Sequence, residues 1–255
     1  MISRRELTRL MPWMVAIGML ILWELVCRLF HIREFILPAP SIIAKALAEY
    51  RIPILEHSWW TLITTLLGFG FAIVVGVLLG VAIGFSTLVY TSLYPLLIGF
   101  NAIPKVALVP ILVLWFGIGA VPVVVTSFII SFFPIVVNVA TGIATTEPEL
   151  ADVLRSLGAS RLDVLRKVGL PRSMPYLFAS LKIAITLAFV GSVLAETMGG
   201  NAGLGFLMVT AAARFDMALV FGGLAAIAVM AVGLFVICVA IERRMVRWAF
   251  RGELV

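Results

Sequence analysis

Long stretches of apolar residues, separated by short polar segments, dominate this chain. A transmembrane helix needs about 20 residues to cross the hydrocarbon core of a bilayer. Six stretches meet that length, and they cover residues 12–30, 59–85, 93–116, 121–144, 174–197 and 218–241. The pattern therefore predicts an all-α, polytopic membrane protein with six transmembrane helices.

Two of these stretches carry residues that predict how the helices are shaped and packed. The third stretch contains Pro95, Pro104 and Pro110, and proline interrupts a helix because it lacks a backbone N–H. In the second stretch, Gly76 and Gly80 are small residues four positions apart, a pattern typical of close contact between membrane helices. We therefore predict a broken third span and a closely packed second span.

Two shorter helices are predicted in polar segments on one side of the membrane. Segment 37–41 predicts an extended chain that leads into an amphipathic helix near 42–50. The glycine-rich segment 199–205 predicts a flexible turn followed by a short apolar helix. With no convincing internal repeat and no separate soluble domain, residues 1–255 are interpreted as one transmembrane domain.

Composition supports the membrane interpretation. Hydrophobic residues make up 63% of the chain and charged residues only 13%, and the mean hydropathy is +1.18. A soluble domain carries about 25% charged residues, so an ordinary soluble protein is excluded. The net charge of +6 does not by itself indicate nucleic acid, because an excess of Lys and Arg in a membrane protein reports orientation.

The basic residues fall in three segments that share one predicted side. Twelve of the nineteen lysines and arginines are Arg4, Arg5, Arg9, Arg155, Arg161, Arg166, Lys167, Arg172, Arg243, Arg244, Arg247 and Arg251. Six crossings that begin inside return the chain inside after the fourth and sixth spans, so the basic segments before the first span, after the fourth and after the sixth share one side. We therefore predict a multi-pass membrane protein with cytoplasmic termini, its first stretch being a retained span. A bacterial inner (plasma) membrane is implied only by the family resemblance given below.

The loop between the fourth and fifth stretches has clear helix signals. Residues 146–149 are Thr-Glu-Pro-Glu, which predicts a capping box with Thr at the N-cap. The helix is predicted to end at Gly158, because glycine adopts the left-handed conformation most easily. Residues 160–163 predict a second capped helix that stops before Pro171. The loop therefore predicts two short helices joined by a tight turn.

This loop is amphipathic, and three interpretations follow from that. The predicted apolar face consists of Leu154, Leu157, Leu162, Leu165 and Val168, beside the basic Arg155, Arg161, Arg166 and Lys167. The loop could rest on lipid headgroups, read DNA as a helix-turn-helix, or dock into a groove of a cytosolic partner. Attachment to two membrane spans argues against DNA.

The spacing of Gly158 and the Val-Gly-Leu-Pro segment at 168–171 resembles the G-x9-I-x-L-P half of the EAA loop of ABC importer permeases. The resemblance extends to motifs found in the permeases of nitrate, taurine and alkanesulfonate importers. They are Leu-Pro-x-Pro at 37–40, His57 with Thr61 and Leu62, Ile-Pro-Lys at 103–105 with Pro110, Trp-Phe-Gly-x-Gly at 115–119, Ala-Glu-x-x-Gly at 195–199 and Gly-Leu-Gly at 203–205.

One departure from the family pattern lies in the loop itself. The sequence Asp-Val-Leu stands at 152–154, where the family has Glu-Ala-Ala. The acid is kept in a shorter form, and two small residues are replaced by larger ones. The resemblance implies that a matching partner surface accommodates this change.

The resemblance implies a type I ABC importer permease fold and an assembly with separate catalytic chains. The expected partners are two ATP-binding cassette subunits, a second permease copy, a periplasmic or lipid-anchored solute-binding protein and membrane lipid, but no nucleic acid. No cofactor is expected on this chain, since ATP and Mg would be bound by the ATPase subunits. The implied coupling loop spans about 145–172, with contact residues Asp152, Val153, Leu154, Leu157, Gly158, Ala159, Arg161, Val168, Leu170 and Pro171.

Candidate pathway residues are polar or aromatic side chains in the spans. Ionisable groups are costly in a membrane and therefore point to function; we select Asn101, Lys105, Trp115, Asn138 and Glu196. Each has a structural alternative, such as snorkelling for the lysine or helix association for the asparagines. The family resemblance, rather than these residues, implies the solute, which is a small organic or inorganic anion, such as a sulfonate, nitrate or aromatic acid, or a vitamin precursor.

An ATP-independent secondary transporter or channel is the main alternative function, and inverted repeats would favour it. The chain contains no G-x-x-x-x-G-K-[ST] segment, so ATP hydrolysis by that route is not expected. It also lacks a recognisable catalytic constellation, and Cys27 and Cys238 lie in separate apolar stretches. We therefore expect a non-catalytic subunit with no metal site.

Overall fold

The computed structural model describes residues 4–246 and 248. Within these residues the protein contains helices and no strands, which confirms the predicted all-α class. The helices are α1 (Arg4–Leu29), α2 (Pro40–Glu49), α3 (Arg51–Gly84), α4 (Thr87–Ala102), α5 (Val109–Phe116), α6 (Ala120–Ala144), α7 (Pro148–Ser156), α8 (Arg161–Val164), α9 (Leu170–Gly199), α10 (Leu204–Ala213) and α11 (Met217–Met245). The predicted basic residues Arg247 and Arg251 lie outside the described residues.

Five described helices are long and apolar enough to cross a membrane, and a bent pair supplies a sixth span. The bent pair is Leu88–Ala102 with Lys105–Phe116, at an angle of 73°. The chain leaves the helical conformation at Ile103, which has φ −66° and ψ 128°, because the ring of the following Pro104 disfavours a helical residue before it. The predicted break in the third span is confirmed.

Three helices, α3, α6 and α9, form the core of the bundle. Helices α3 and α6 run parallel, since Gly76 lies against Ile135 and Gly80 against Val139. A Cβ added at Gly80 would lie 2.7 Å from the Cβ of Val139, so glycine is what allows this approach. The close contact predicted from the Gly76 and Gly80 spacing is confirmed.

Helix α9 runs antiparallel to α6 and completes the core. Gly191 of α9 packs on Ser127, and Gly142 of α6 packs on Ser173 at the other end. The buried side chains between the three helices are mostly small or branched, and include Ala72, Ile135, Val139, Ile185 and Ala188 beside Phe69. The segment that joins α6 to α9 and contains α7 and α8 is called the α7–α8 loop. The end of the bundle at which α9 follows this loop is called the loop end, and the end at Gly199 is called the opposite end.

An ion pair attaches α11 to this core. Lys182 of α9 donates to both carboxylate oxygens of Glu242, at 3.0 and 2.8 Å. The side chain of Glu242 is 7% exposed and that of Lys182 is 27% exposed. In the apolar window of α11 no residue is buried within the chain, so this pair is a specific tether for a loosely packed helix.

We expect Lys182→Met to lower the stability of the chain by about 3 kcal/mol, because it leaves the Glu242 carboxylate without its partner. The measurement is the midpoint of thermal unfolding in detergent. The double variant Lys182→Met/Glu242→Met is the control, and most of the lost stability should return, because removing both charges together is nearly neutral. A double variant no more stable than the single one would contradict this role for the pair.

Candidate functional site

The loop between α6 and α9 forms a tight turn at Gly158, as its sequence predicts. Gly158 has φ +85°, a left-handed conformation that other residues adopt at a cost. Its N–H donates to Arg155 O at 2.9 Å, and Ala159 N donates to Leu154 O at 3.0 Å. These bonds satisfy the last carbonyls of α7 and turn the chain into α8.

Of the two predicted capping boxes, the one at α8 is present, and the prediction of one at α7 is wrong. Asp163 N donates to Ser160 Oγ at 3.2 Å, and Ser160 N donates to Asp163 Oδ2 at 3.0 Å, which forms the box at α8. At α7 the N-cap is Glu147 with no side-chain capping bond. Thr146 Oγ1 is buried without a partner among the described residues, so it does not cap the helix.

Glu147 and Arg172 form an ion pair that closes the base of the loop. Arg172 donates to Glu147 Oε1 at 2.7 Å, and the two residues lie at the start and end of the loop. Sequence analysis placed neither in the site. The sequence feature that could have indicated this pair is an acidic and a basic residue at the two ends of the loop. Only the folded chain shows that they are in contact.

The predicted helix end before Pro171 is wrong. The chain continues from α8 through a π-helical turn, Leu165–Gly169, into α9. Together they form one helical run, Arg161–Gly199, of 39 residues. The wider π turn accommodates Pro171 near the start of α9. In a regular α-helix the proline ring contacts the carbonyl four residues earlier, whereas the hydrogen bonds of a π turn run to the carbonyl five residues earlier.

The apolar residues of the loop, which include members of the predicted apolar face and also Val153 and Leu170, divide into two parts. Leu157 is 79% exposed, and Val153 and Leu162 are 58% and 47% exposed; these three residues are called the apolar knob. In contrast, Leu165 and Leu170 pack against the buried cluster of the core. The inner leucines therefore hold the loop to the bundle, and the knob remains available to a partner.

The other predicted loop residues lie around the knob. Asp152 is exposed and accepts a hydrogen bond from Arg155 at 3.2 Å. The remaining positions are Arg161 and Pro171, which are exposed with Gly158, and Leu154, Ala159 and Val168, which are half-buried. A cavity of about 480 Å³ separates the loop from the loop ends of α3 and α6, with Asp152, Arg155 and Arg161 in its lining.

The structure brings together two of the five predicted pathway residues. Lys105 Nζ donates to Asn101 Oδ1 at 2.6 Å and to Asn101 O at 3.1 Å. Asn138 instead bonds Pro134 O in its own helix at 2.8 Å, and Trp115 is 71% exposed. Among the described hydrogen bonds and ion pairs, none joins Trp115, Asn138 or Glu196 to Lys105.

Lys105 contributes to the break in the third span. Its ammonium group caps a carbonyl at the C-terminus of α4, where a positive charge is stabilised by the helix dipole. The ammonium also lies 5.7 Å from the ring centroid of Phe133, a cation–π distance. These contacts orient Lys105 within the bend, and a role in binding an anion stays a prediction.

Glu196 is deeply buried within the chain. It is 1% exposed, and its Oε2 accepts hydrogen bonds from Thr61 Oγ1 at 3.0 Å and Gly205 N at 2.9 Å. Sequence analysis selected Glu196 as an isolated ionisable group and did not pair it with Thr61. Among the described residues, no group of three or more His, Cys, Asp or Glu is arranged to hold a metal ion.

The described residues form six candidate spans, three of which make up the core of α3, α6 and α9, and a helix–turn–helix projects from one end of the bundle. The chain belongs to the family of binding-protein-dependent transport system inner membrane components, which matches residues 72–249. It is therefore the non-catalytic transmembrane subunit of an ABC importer of the inner membrane, which works with ATPase and solute-binding proteins.

Similar proteins agree with this assignment. The riboflavin transport system permease of Chloroflexus aurantiacus is 33% identical, over 90% of this chain and 87% of that protein. The taurine transport system permease of Escherichia coli K12 is 28% identical, over 90% of this chain and 86% of that protein. A chain of the MetNI methionine ABC transporter, solved in an inward-facing conformation, is 20% identical with a TM-score of 0.64, covering 76% of this chain and 96% of that chain. The last likeness shows the type I importer permease fold predicted from the sequence.

Proposed function

We propose that the α7–α8 loop docks into a cleft of the ATPase and transmits its movements to the spans. The apolar knob carries this proposal, because three large apolar side chains lie exposed on the segment that joins α6 to α9. Apolar side chains that enter a groove supply most of the affinity of a helix-docking contact. ATP and Mg are bound by the ATPase subunits in this assembly.

The packing of the loop supports transmission of force. The Glu147–Arg172 ion pair closes the loop at its base. Leu165 and Leu170 continue from it into the core of α3, α6 and α9. A displacement of the knob therefore moves a continuous packed unit, which is the requirement for a rigid-body switch between inward and outward access.

The proposed orientation puts both termini and the loop in the cytoplasm. Support comes from the three basic segments, since Lys and Arg are retained on the cytoplasmic side. The α10 side of the bundle then faces outward, where a solute-binding protein delivers its cargo.

We propose that residues 1–255 form one permease domain and that two copies pair to form the pathway, with one ATPase bound to each loop. Helices α1 and α11 leave apolar surface that a second copy or the surrounding lipid would cover, since lipid tails are as apolar as these side chains. Only 6% of the residues in the apolar window of α1 are buried within the chain, and none in that of α11.

The proposed cargo is a small anion, such as a sulfonate, nitrate or aromatic acid, or a vitamin precursor. Relatives are named for taurine and for riboflavin. Lys105 supports the anionic choice, because it places a positive charge at the bend of the third span. Asn101, Trp115 and Asn138 remain proposed members of the pathway.

The coupling role is tested with the complete transporter in lipid vesicles, where ATP hydrolysis should rise when the loaded solute-binding protein is added. Gly158→Val should reduce this stimulation by about tenfold, because a β-branched residue at φ +85° strains the turn by roughly 1–2 kcal/mol. Gly158→Asn is the matched control, since asparagine tolerates the left-handed conformation. Equal stimulation in Val and Asn variants would contradict a coupling role for the turn.

A further inference from the structure

The opposite end of α9 contains a buried polar cluster that the coupling role of the loop does not use. Glu196 lies one turn before the end of α9 and is 1% exposed. Its Oε2 accepts hydrogen bonds from Thr61 of α3 and from the N–H of Gly205 in α10. Its Oε1 is buried without a partner among the described residues. A buried carboxylate is costly, so its retention here points to a role.

Two side chains of α3 complete the cluster. Thr61 Oγ1 accepts a hydrogen bond from Leu204 N at 2.8 Å, and His57 Nδ1 accepts one from Gly203 N at 2.9 Å. The N–H groups of 203, 204 and 205 begin α10, where a helix offers no acceptor of its own. Each of the three therefore donates to a side chain from another helix.

The glycines of the segment make these contacts possible. A Cβ at Gly203 would collide with the carboxylate of Glu196, and one at Gly205 with the backbone oxygen of Val193. Gly203 also has φ +101°, which side chains of L-residues disfavour. Glu196 and the glycines at 203 and 205 therefore pack as one unit. The turn predicted to be flexible is held by side-chain hydrogen bonds in its second half, at 203–205.

The same segment is connected to the broken third span. Gly119 N, in the turn after α5, donates to Gly199 O at 3.1 Å. The side chain of Val113 in α5 packs directly on Gly199. The opposite end of α9 therefore holds both the first turn of α10 and the end of the bent span that carries Lys105.

Helix α10 presents a surface outward from this cluster. Its buried side chains Leu204, Leu207 and Ala211 pack with Ile54 and Leu219. The exposed residues of this region are Asn201, Val209, Ala213, Arg214 and Phe215, with Phe215 73% exposed. In the proposed orientation this surface faces the compartment of the solute-binding protein.

We propose that His57, Thr61 and Glu196 are positioning residues that fix the first turn of α10. By fixing this turn, they hold the docking surface for the solute-binding protein in a defined position relative to the outer end of the broken span. This inference rests on the proposed orientation and coupling. It assigns no contact with solute to the three residues. Their effect passes through the backbone of 203–205.

The test uses the complete transporter in lipid vesicles and its purified, solute-loaded binding protein. His57→Ala removes the acceptor for Gly203 N, whereas His57→Asn supplies a side-chain oxygen in a similar place. We expect His57→Ala to raise the binding-protein concentration for half-maximal ATPase stimulation about tenfold, the effect of losing one buried hydrogen bond. His57→Asn should stay within about twofold of wild type.

Hydrogen exchange measured by mass spectrometry on the same complex gives a direct second readout. The segment 199–206 should exchange faster in His57→Ala and at the wild-type rate in His57→Asn. Glu196→Ala and Glu196→Gln form a second pair, because the amide oxygen of Gln can still accept from Thr61 and Gly205. If Glu196→Ala does not fold, the His57 pair decides the question.

The outcomes separate this inference from the proposed function. A general loss of stability would lower maximal activity and leave the half-maximal concentration unchanged, and that result would overturn the positioning role. Unchanged exchange at 199–206 in His57→Ala would overturn it as well. Failure of the wild-type chain to bind its ATPase, or to respond to the binding protein at all, would instead overturn the proposed function.

Discussion

Leu157→Asp is expected to weaken the association of the permease with its ATPase strongly. Leu157 is 79% exposed in the free chain, and in the proposed complex its side chain is buried in a groove of the partner. Loss of that burial costs about 1.5–3 kcal/mol, and an unpaired carboxylate in the groove adds a desolvation cost. We therefore expect the affinity to fall by at least about 100-fold, measured by titrating the purified ATPase onto the permease.

Leu157→Met is the matched control for this prediction. Methionine conserves volume and apolar character, so the affinity should change little. Neither substitution should alter the melting temperature of the free permease, because Leu157 makes little contact within its own chain. Wild-type affinity in Leu157→Asp would exclude the knob as the docking element.

Gly80→Leu is expected to disrupt the packing of α3 on α6. An added Cβ at this position would lie 2.7 Å from the Cβ of Val139 and 3.0 Å from the backbone oxygen of Val136. Overpacking costs about 1–3 kcal/mol, and a backbone neighbour that cannot rotate away favours the upper end. We expect a lower melting temperature and a smaller monodisperse fraction in size-exclusion chromatography of the detergent-solubilised chain.

Gly70→Leu tests whether that loss comes from packing. Gly70 lies in the same helix, and a Cβ there would have no neighbour within 4 Å. Both substitutions gain about 1 kcal/mol of helix propensity, so the difference between them reports the contact with α6. Equal melting temperatures for the two variants would contradict the role of Gly80 in the helix contact.

The predicted spans were accurate because each depends on a local property of the chain. An apolar stretch long enough for the bilayer forms a helix wherever its neighbours lie, since a lipid environment leaves the backbone no other partner. The break before Pro104 and the left-handed turn at Gly158 are equally local, because proline and glycine restrict or permit backbone angles by themselves. The structure confirms both.

Errors arose where a local signal competed with a longer contact. The Thr-Glu-Pro-Glu segment matches a capping box, but Glu147 pairs with Arg172 across the loop and Thr146 does not cap α7. Pro171 predicts a helix end, yet a π turn carries the chain into α9. The leucines of the loop share one predicted face, but in the structure Leu165 packs against the core whereas Leu157 is exposed.

By itself, the sequence determined that this protein is a polytopic membrane protein with a helical loop after the fourth span, because length, hydropathy and the residues at turns act locally. The permease class followed from the resemblance of its motifs to a family, not from these local properties. Only the tertiary structure decided which side chains meet. The contact between Glu196 and Thr61 joins residues 135 positions apart, and the ion pair of Lys182 with Glu242 spans 60 positions. The physical reason is that hydropathy places a helix in the membrane, whereas the rotation and partners of that helix follow from packing against the others.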